Sequence, residues 1–408
     1  MTSISVLHRT LVLLAALPIL GAAADTRTEF GGYTKLRGVS QSYPSDSLFH
    51  DLYGDSSIDT QGDLRFNLER RQSRWTFNSS YQIAVLNGET FSSPDDARRL
   101  FDFTSVVDQG NESALLHRLD RLWVGYTSEK TVVRFGRQAL SWGNGLLYAP
   151  MDLVNPFDPA AVDTEYKEGD DMLYLQYLMD SGADFQGAYV VRRDLLSGDV
   201  DTSAATTAMK YHGFKGEAEF DVLVARHYDD DVLGFGMSHA LGGAHWSGDL
   251  VITDTAAKTV VQLSTNLSYA WNWAGKNMSG ALEYHFNGFG QHSDRYDSIS
   301  LAANTDLLRR LTRGESFTLG RHYVAGSVMV EMTPLWTVTP TLLMNISDPS
   351  GFLQLVTDYS LSDNMTLLAS LNVPLGPSGS EFGGIEAAVP ERFLSRRAGV
   401  FAQLAWYF

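Results

Sequence analysis

The segment Gly399-Val400-Phe401-Ala402-Gln403-Leu404-Ala405-Trp406-Tyr407-Phe408 decides how the rest of the chain is read. Val400, Ala402, Leu404, Trp406 and Phe408 share one parity, so a strand places all five on one face. The run stops on an aromatic ring with no polar residue after it. Left at an aqueous edge, such a strand invites pairing with other chains. The pattern predicts a strand paired on both sides, with its apolar face against something other than water.

The opposite end of the chain agrees. His8 and Arg9 precede an apolar run from Leu11 to Leu20, and Gly21-Ala22-Ala23-Ala24 supplies a small-residue cleavage site. Residues 1–24 are expected to be a secretory signal peptide, and 25–408 one structural unit. No later stretch approaches the roughly 18 consecutive apolar residues of a membrane helix. Cysteine is absent, so neither a disulfide framework nor a thiolate site is available. A net charge of −17 argues against a nucleic-acid partner, which requires a basic footprint. The mean hydropathy of −0.13 is compatible with a membrane barrel, because half of each strand's side chains face a wet interior.

Alternation with period two recurs through the chain. Leu64, Phe66 and Leu68 alternate with Asp63, Arg65, Asn67 and Glu69. Val261, Leu263, Leu267, Tyr269 and Trp271 alternate with Gln262, Ser264, Asn266 and Ser268. Each such stretch has the apolar/polar dyad of a tilted barrel strand. Short polar turns are expected near 70–72, 128–130, 181–182, 214–216, 242–243, 275–276, 333–334 and 362–364. Longer segments lie around 41–60, 88–118, 142–169, 287–321 and 374–397. The reading is an all-β, transmembrane, up-and-down antiparallel β-barrel with an inward-folded loop. Eighteen strands are favoured; sixteen stays open, because 204–257 has weak boundaries. Trp75, Trp246, Trp271, Trp273, Trp336 and Trp406 all fall near short turns or the C-terminus, as an interfacial girdle requires. A secreted β-sandwich or β-helix shares the short strands but not the tryptophan level or the loop asymmetry.

The terminal Trp406 and Phe408 resemble the C-terminal assembly signal of bacterial outer-membrane β-barrels. The stretch Arg134-Phe135-Gly136-Arg137-Gln138 through Ser141-Trp142-Gly143 to Asn155-Pro156 resembles a pattern in porin-like outer-membrane barrels. The resemblance implies a Gram-negative outer-membrane location, contact with lipid and lipopolysaccharide, and assembly by the barrel-assembly machinery. It also implies passive diffusion of small polar solutes through a channel. The 142–169 loop would be the constriction. Prolines at 150, 156 and 159 exclude a regular strand or helix there, and its apolar side chains favour packing on the barrel wall. Trp142, Asp152, Asn155, Asp158, Asp163, Glu165 and Asp170 are the constriction candidates. Asn155-Pro156 and Asp158-Pro159 can equally be turn initiators.

Arginine outnumbers lysine 24 to 7. Arg65, Arg74, Arg121 and Arg134 have interior parity on neighbouring strands and are the pore-lining candidates. Arg137 has the opposite parity, so it faces outward near the rim unless Gly136 marks a bulge that turns it inward. Acids of the loop would set a transverse field against a basic wall. Ion-pair networks with Asp63, Glu69 and Asp120 are the structural alternative. Leu307, Leu308 and Leu311 share a helical face within 298–314, with Gly314 as a stop.

Neither a cofactor nor a metal site is expected, and no catalytic residues are assigned. His292-Ser293-Asp294 cannot form a relay from three adjacent residues, and no H-E-x-x-H or phosphate-binding loop occurs. Asp95-Asp96 and Asp229-Asp230-Asp231 read as solvated loop tips, with divalent-cation binding or a bridge to lipopolysaccharide as the alternative. The alternative functions are an outer-membrane partner of an export or trans-envelope complex and, below it, a barrel enzyme acting on lipid. Oligomeric state stays open.

Overall fold

The computed structural model describes residues 26–91, 94–195, 197–293 and 296–408. The expected signal peptide and Asp294 lie outside them. One antiparallel sheet holds nineteen strands among the described residues. The first nine are β1 (Thr26–Ser42), β2 (Ser56–Gln72), β3 (Trp75–Asn87), β4 (Thr104–Gln109), β5 (Ser113–Thr127), β6 (Thr131–Gln138), β7 (Asp170–Leu178), β8 (Asp184–Val190) and β9 (Thr206–Lys215). They are followed by β10 (Ala218–His227), β11 (Asp230–Leu241), β12 (Ala244–Asp254), β13 (Thr259–Trp273) and β14 (Lys276–Asn287). The last five are β15 (His322–Thr333), β16 (Trp336–Asn345), β17 (Ser350–Ser362), β18 (Met365–Leu375) and β19 (Gly399–Tyr407).

Eighteen of them close a ring. β1 pairs with β2 on one side and with β19 on the other, from Tyr33 opposite Tyr407 to Gln41 opposite Gly399. Short β4 stands apart from the ring order: it pairs with the upper half of β5, whose lower half pairs with β6. It therefore continues the wall above the point where β6 ends. Closure leaves no open edge along the ring, as a strand structure in lipid requires.

The polarity of the wall is inverted relative to a soluble protein. Leu282 is 59% exposed while adjacent Glu283 is 2% exposed, and Leu36 is 60% exposed beside Lys35 at 1%. Apolar side chains cover the outside and charged ones the inside. Water would penalise that arrangement on both faces, whereas a bilayer around a polar interior favours it.

Eight short turns share one end with Thr26 and Phe408. The tryptophans expected at that level are there: Trp75 begins β3, Trp336 begins β16, and Trp271, Trp273 and Trp406 close their strands. Trp75 meets Tyr126 edge-on at 5.2 Å, and Trp271 stacks on Tyr269 at 6.2 Å. The first turn falls at Ser73-Arg74 rather than at 70–72, with Ser73 at φ 53°. The weak region 204–257 holds four strands. Their hairpin at Tyr228-Asp229 has φ of 49° and 67°, a left-handed turn made without glycine, which hid the boundary from the sequence.

At the other end two connections are the longest. Residues 139–169 fold into the barrel. Residues 288–321 form two helices, α1 (Ser298–Ala303) and α2 (Thr305–Arg313), capped by Asp297, Asn304 and Gly314. Leu301 and Leu307 bury against Val260, Phe289 and Tyr296.

Closure depends on Gly32. Its N–H donates to the Phe408 carbonyl at 2.9 Å, and its carbonyl accepts from the Phe408 N–H at 3.1 Å. A Cβ at Gly32 would collide with the Arg65 carbonyl oxygen and stand 2.8 Å from the Phe408 ring. Gly32→Val is therefore expected to prevent assembly. A heat-modifiable folded band on unboiled gels at wild-type yield would contradict this.

Candidate functional site

β6 ends at Gln138 and the chain turns into the lumen, where residues 139–169 run around the inner wall before rejoining it at Asp170. The base of the loop is stapled. Lys167 Nζ donates to the Asp152 carboxylate and the Leu140 carbonyl, both at 2.5 Å, and to Ser141 Oγ at 3.0 Å. Burial pushes Asp152 up to about 6 against the pull of the Lys167 ammonium, and pulls Lys167 down. Desolvation thus outweighs the attraction within the staple.

The loop next docks on the β8–β14 wall. Trp142 Nε1 donates to Gln186 Oε1 at 2.7 Å. Trp142 and Met151 pack with Ala188, Ala208, Leu223, Val232 and Val251, an apolar patch on the inside of the barrel. Two wall carboxylates then receive loop N–H groups. Asp249 accepts from the Asn144 backbone at 2.7 Å and its side-chain amide at 2.8 Å. Glu283 accepts from Leu147 N at 2.8 Å and Tyr148 N at 3.1 Å. The Tyr148 ring stacks on His285 at 4.6 Å, with planes 5° apart. These contacts satisfy both buried carboxylates and fix the loop backbone.

The returning half of the loop crosses β17, where Gln354 Nε2 donates to the Ala160 carbonyl at 2.9 Å, and reaches β1. Lys35 Nζ meets Asp163 at 2.8 Å and Glu165 at 2.7 Å. Between this part of the loop and strands β1 to β5 lies a cavity of about 170 Å³. Lys35, Arg37, Arg65 and Arg118 line the strand side, and Asp163, Tyr166 and Glu168 the loop side.

The structure brings some of the sequence candidates together and separates others. Arg65 is buried, ion-paired to Asp120, with its guanidinium 4.2 Å from the Tyr166 ring. A register shift opposite Ser80 and Tyr81 leaves Asp120 unmatched on β5 and places Arg121 3.1 Å from it. Arg121 also donates to the Lys167 carbonyl. Arg134 lies apart, between Trp123 at 5.1 Å and Tyr174 at 5.7 Å. Arg74 is not on the wall at all: it stands exposed in the β2–β3 turn, donating to Tyr126 at 3.2 Å.

Among the loop candidates, Asp163 and Glu165 touch the basic wall directly, so the expected field across open water is largely a set of contacts. Trp142 and Asp152 hold the loop and do not face the cavity wall. Asp158 caps a turn through Ala160 N at 2.8 Å, the structural alternative for that residue. Asn155 and Asp170 line a second cavity above the first. Asp170 pairs with Arg192 at 2.9 Å.

Arg137 keeps its outward register, with no shift between β6 and β7. It reaches Asp171 at 3.0 Å through both Nε and Nη2, Asp96 at 2.9 Å and the Phe101 carbonyl at 2.6 Å. This node pins the 96–103 segment over the end of β6. Lys35 and Arg37 escaped the sequence reading although they alternate with Leu36 as Arg65 does with Leu64. The same parity rule finds them.

Neither a protein-family model nor a curated protein sequence matches the chain. Solved structures do. OccAB3 of Acinetobacter baumannii overlays with a TM-score of 0.54 at 9% identity, covering 95% of this chain and 100% of its own. OccAB4 of the same organism overlays at 0.53 with 9% identity, covering 94% and 98%. OccAB2 gives 0.53 with 11% identity over 94% and 98%. At such identities the likeness is one of architecture, and the architecture is that of a porin-like, 18-stranded barrel.

Proposed function

We propose that this barrel sits in the Gram-negative outer membrane and passes small hydrophilic solutes by diffusion, without chemistry. The observation that carries the reading is a closed, outwardly apolar ring whose interior loop leaves a charged cavity against β1 to β5. Lipid and lipopolysaccharide surround the belt, and the tryptophan level marks the end bearing the short turns. Those turns offer little surface for an inner-membrane exporter, which favours an independent channel over an export partner. A lipid-directed enzyme would require convergent acid, base and nucleophile, and the charged groups of the cavity are committed to ion pairs.

Proteoliposome swelling tests the proposal. Folded protein should admit a pentose and progressively exclude di- and trisaccharides. Vesicles that swell with no solute, at verified incorporation, would reject diffusion and favour a plugged or partner-dependent barrel.

The two arginines that the structure separates should behave differently. Arg65→Ala removes a cation from the cavity and leaves Asp120, so the reversal potential in a salt gradient should move toward cations. Arg74→Ala should leave it unchanged. Equal shifts, or none for Arg65→Ala, would place selectivity elsewhere.

A further inference from the structure

Above the loop lies a second cavity of about 330 Å³, at the lower end of the size range of small-molecule pockets. It lies between the 95–99 segment, the loop at Asn155, Arg192 and the C-terminal end of α2. Four arginines (98, 99, 192 and 313) face three carboxylates, Asp95, Glu168 and Asp170. Arg99 is also paired with Asp96 at 2.7 Å, so the arginines left without a close carboxylate are Arg98 and Arg313.

The pairing within the cavity is uneven. Asp170 is engaged by Arg192 at 2.9 Å. Asp95 accepts the Ala97 N–H at 3.0 Å. Arg98 donates to the Thr312 carbonyl at 2.7 Å and has no carboxylate within ion-pair distance among the described residues. Arg313 stacks on Tyr228 at 3.8 Å and reaches Glu315 only at 3.6 Å. Asn155, held at φ 50°, lines the same cavity, and its amide nitrogen lacks a hydrogen-bond partner.

Glu168 belongs to both cavities. Its side chain is 55% exposed, and it meets Arg99 at 2.9 Å from above and Arg118 at 3.7 Å from below. From this geometry we infer that the upper cavity binds a small soluble oxyanion between Arg98 and Arg313. Glu168 is the counter-ion that such a solute replaces on Arg99 and Arg118 as it moves to the lower cavity. Planar guanidinium groups match oxyanion geometry, and the weakly paired Arg98 and Arg313 offer their donors to an incoming anion. The passage step rests on the channel reading above, whereas binding does not.

The test therefore measures both. Chloride current through the wild-type protein in lipopolysaccharide-free phosphatidylcholine bilayers is titrated with inorganic phosphate and with succinate, with glycerol as the neutral control. Calorimetry on the detergent-solubilised protein gives binding independently of current. Both anions should bind and block, and glycerol should do neither. Arg98→Ala with Arg313→Ala should weaken binding by about tenfold or more, on the scale of lost charge-assisted hydrogen bonds. Arg98→Lys with Arg313→Lys should restore part of it, which separates lost charge from misfolding. Glu168→Gln should tighten binding and raise anion current. Equal binding by wild type and the double alanine variant would overturn the site, as would an effect seen only when lipopolysaccharide is present. A silent bilayer with intact, arginine-dependent binding would reject the channel reading and keep the site.

Discussion

Deletion of residues 144–158 is expected to raise single-channel conductance by about threefold or more, because an 18-stranded ring without its plug encloses a wide aqueous lumen. The deleted stretch carries Asn144, Leu147, Tyr148 and Met151, which cover the inner wall from β8 to β15. Its loss rehydrates Asp249 and Glu283 and wets a patch centred on Leu223, so the barrel should be less stable yet closed. Closure belongs to the strand ladders and the Gly32–Phe408 contacts, neither of which the deletion touches. A milder pair, Asp249→Asn with Glu283→Gln, removes the charge that holds the loop amides while keeping the shape. It should give noisy conductance between wild type and deletion. Conductance unchanged by the deletion would mean that ions do not pass the loop.

Arg137→Ala should cost about 3–5 kcal/mol of stability, the range for removing one partner of a buried ionic cluster. The residue is 1% exposed and serves two carboxylates and the Phe101 carbonyl, so truncation leaves Asp171 without a cation beside Asp96, which keeps only Arg99. The damage is local in origin: the 96–103 segment and β4, which close the wall above β6, lose their anchor. Arg137→Lys should recover only part of the loss, since one ammonium cannot reproduce the fork to Asp171. Denaturant unfolding in detergent or lipid measures the difference. A shift no larger than that of the exposed Arg74→Ala, which should lie within about 0.5 kcal/mol of wild type, would show that the node is not structural.

The parts legible in the sequence are those governed by local pattern. Period-two alternation gave the strands, and polar punctuation with tryptophan beside it gave the turns and their membrane level. The proline-rich apolar segment gave the inward loop. What stayed hidden depends on partners distant in the chain. Asp249 and Glu283 read as ordinary interior acids; only the fold shows them accepting N–H groups more than 100 residues away. The Asp120 bulge, which brings Arg121 beside Arg65, has no glycine to announce it. Arg74 had interior parity only if β3 began one residue earlier, and a left-handed Ser73 moves it into the turn instead. The second cavity needs five separate connections to meet at the mouth, which no single segment encodes.

In the proposed channel, solute passes between the loop and the β1–β5 wall. The chain has no cysteine, so single cysteines report without background. Arg37, a quarter exposed on that wall, and Leu223, fully buried beneath the loop on the opposite side, are the paired sites. The decisive measurement is single-channel current of Arg37→Cys and Leu223→Cys before and after a bulky charged thiosulfonate reagent. Block is expected at position 37 and no change at position 223. Unchanged current at 37 with block at 223 would put the path on the other side of the loop and contradict that route.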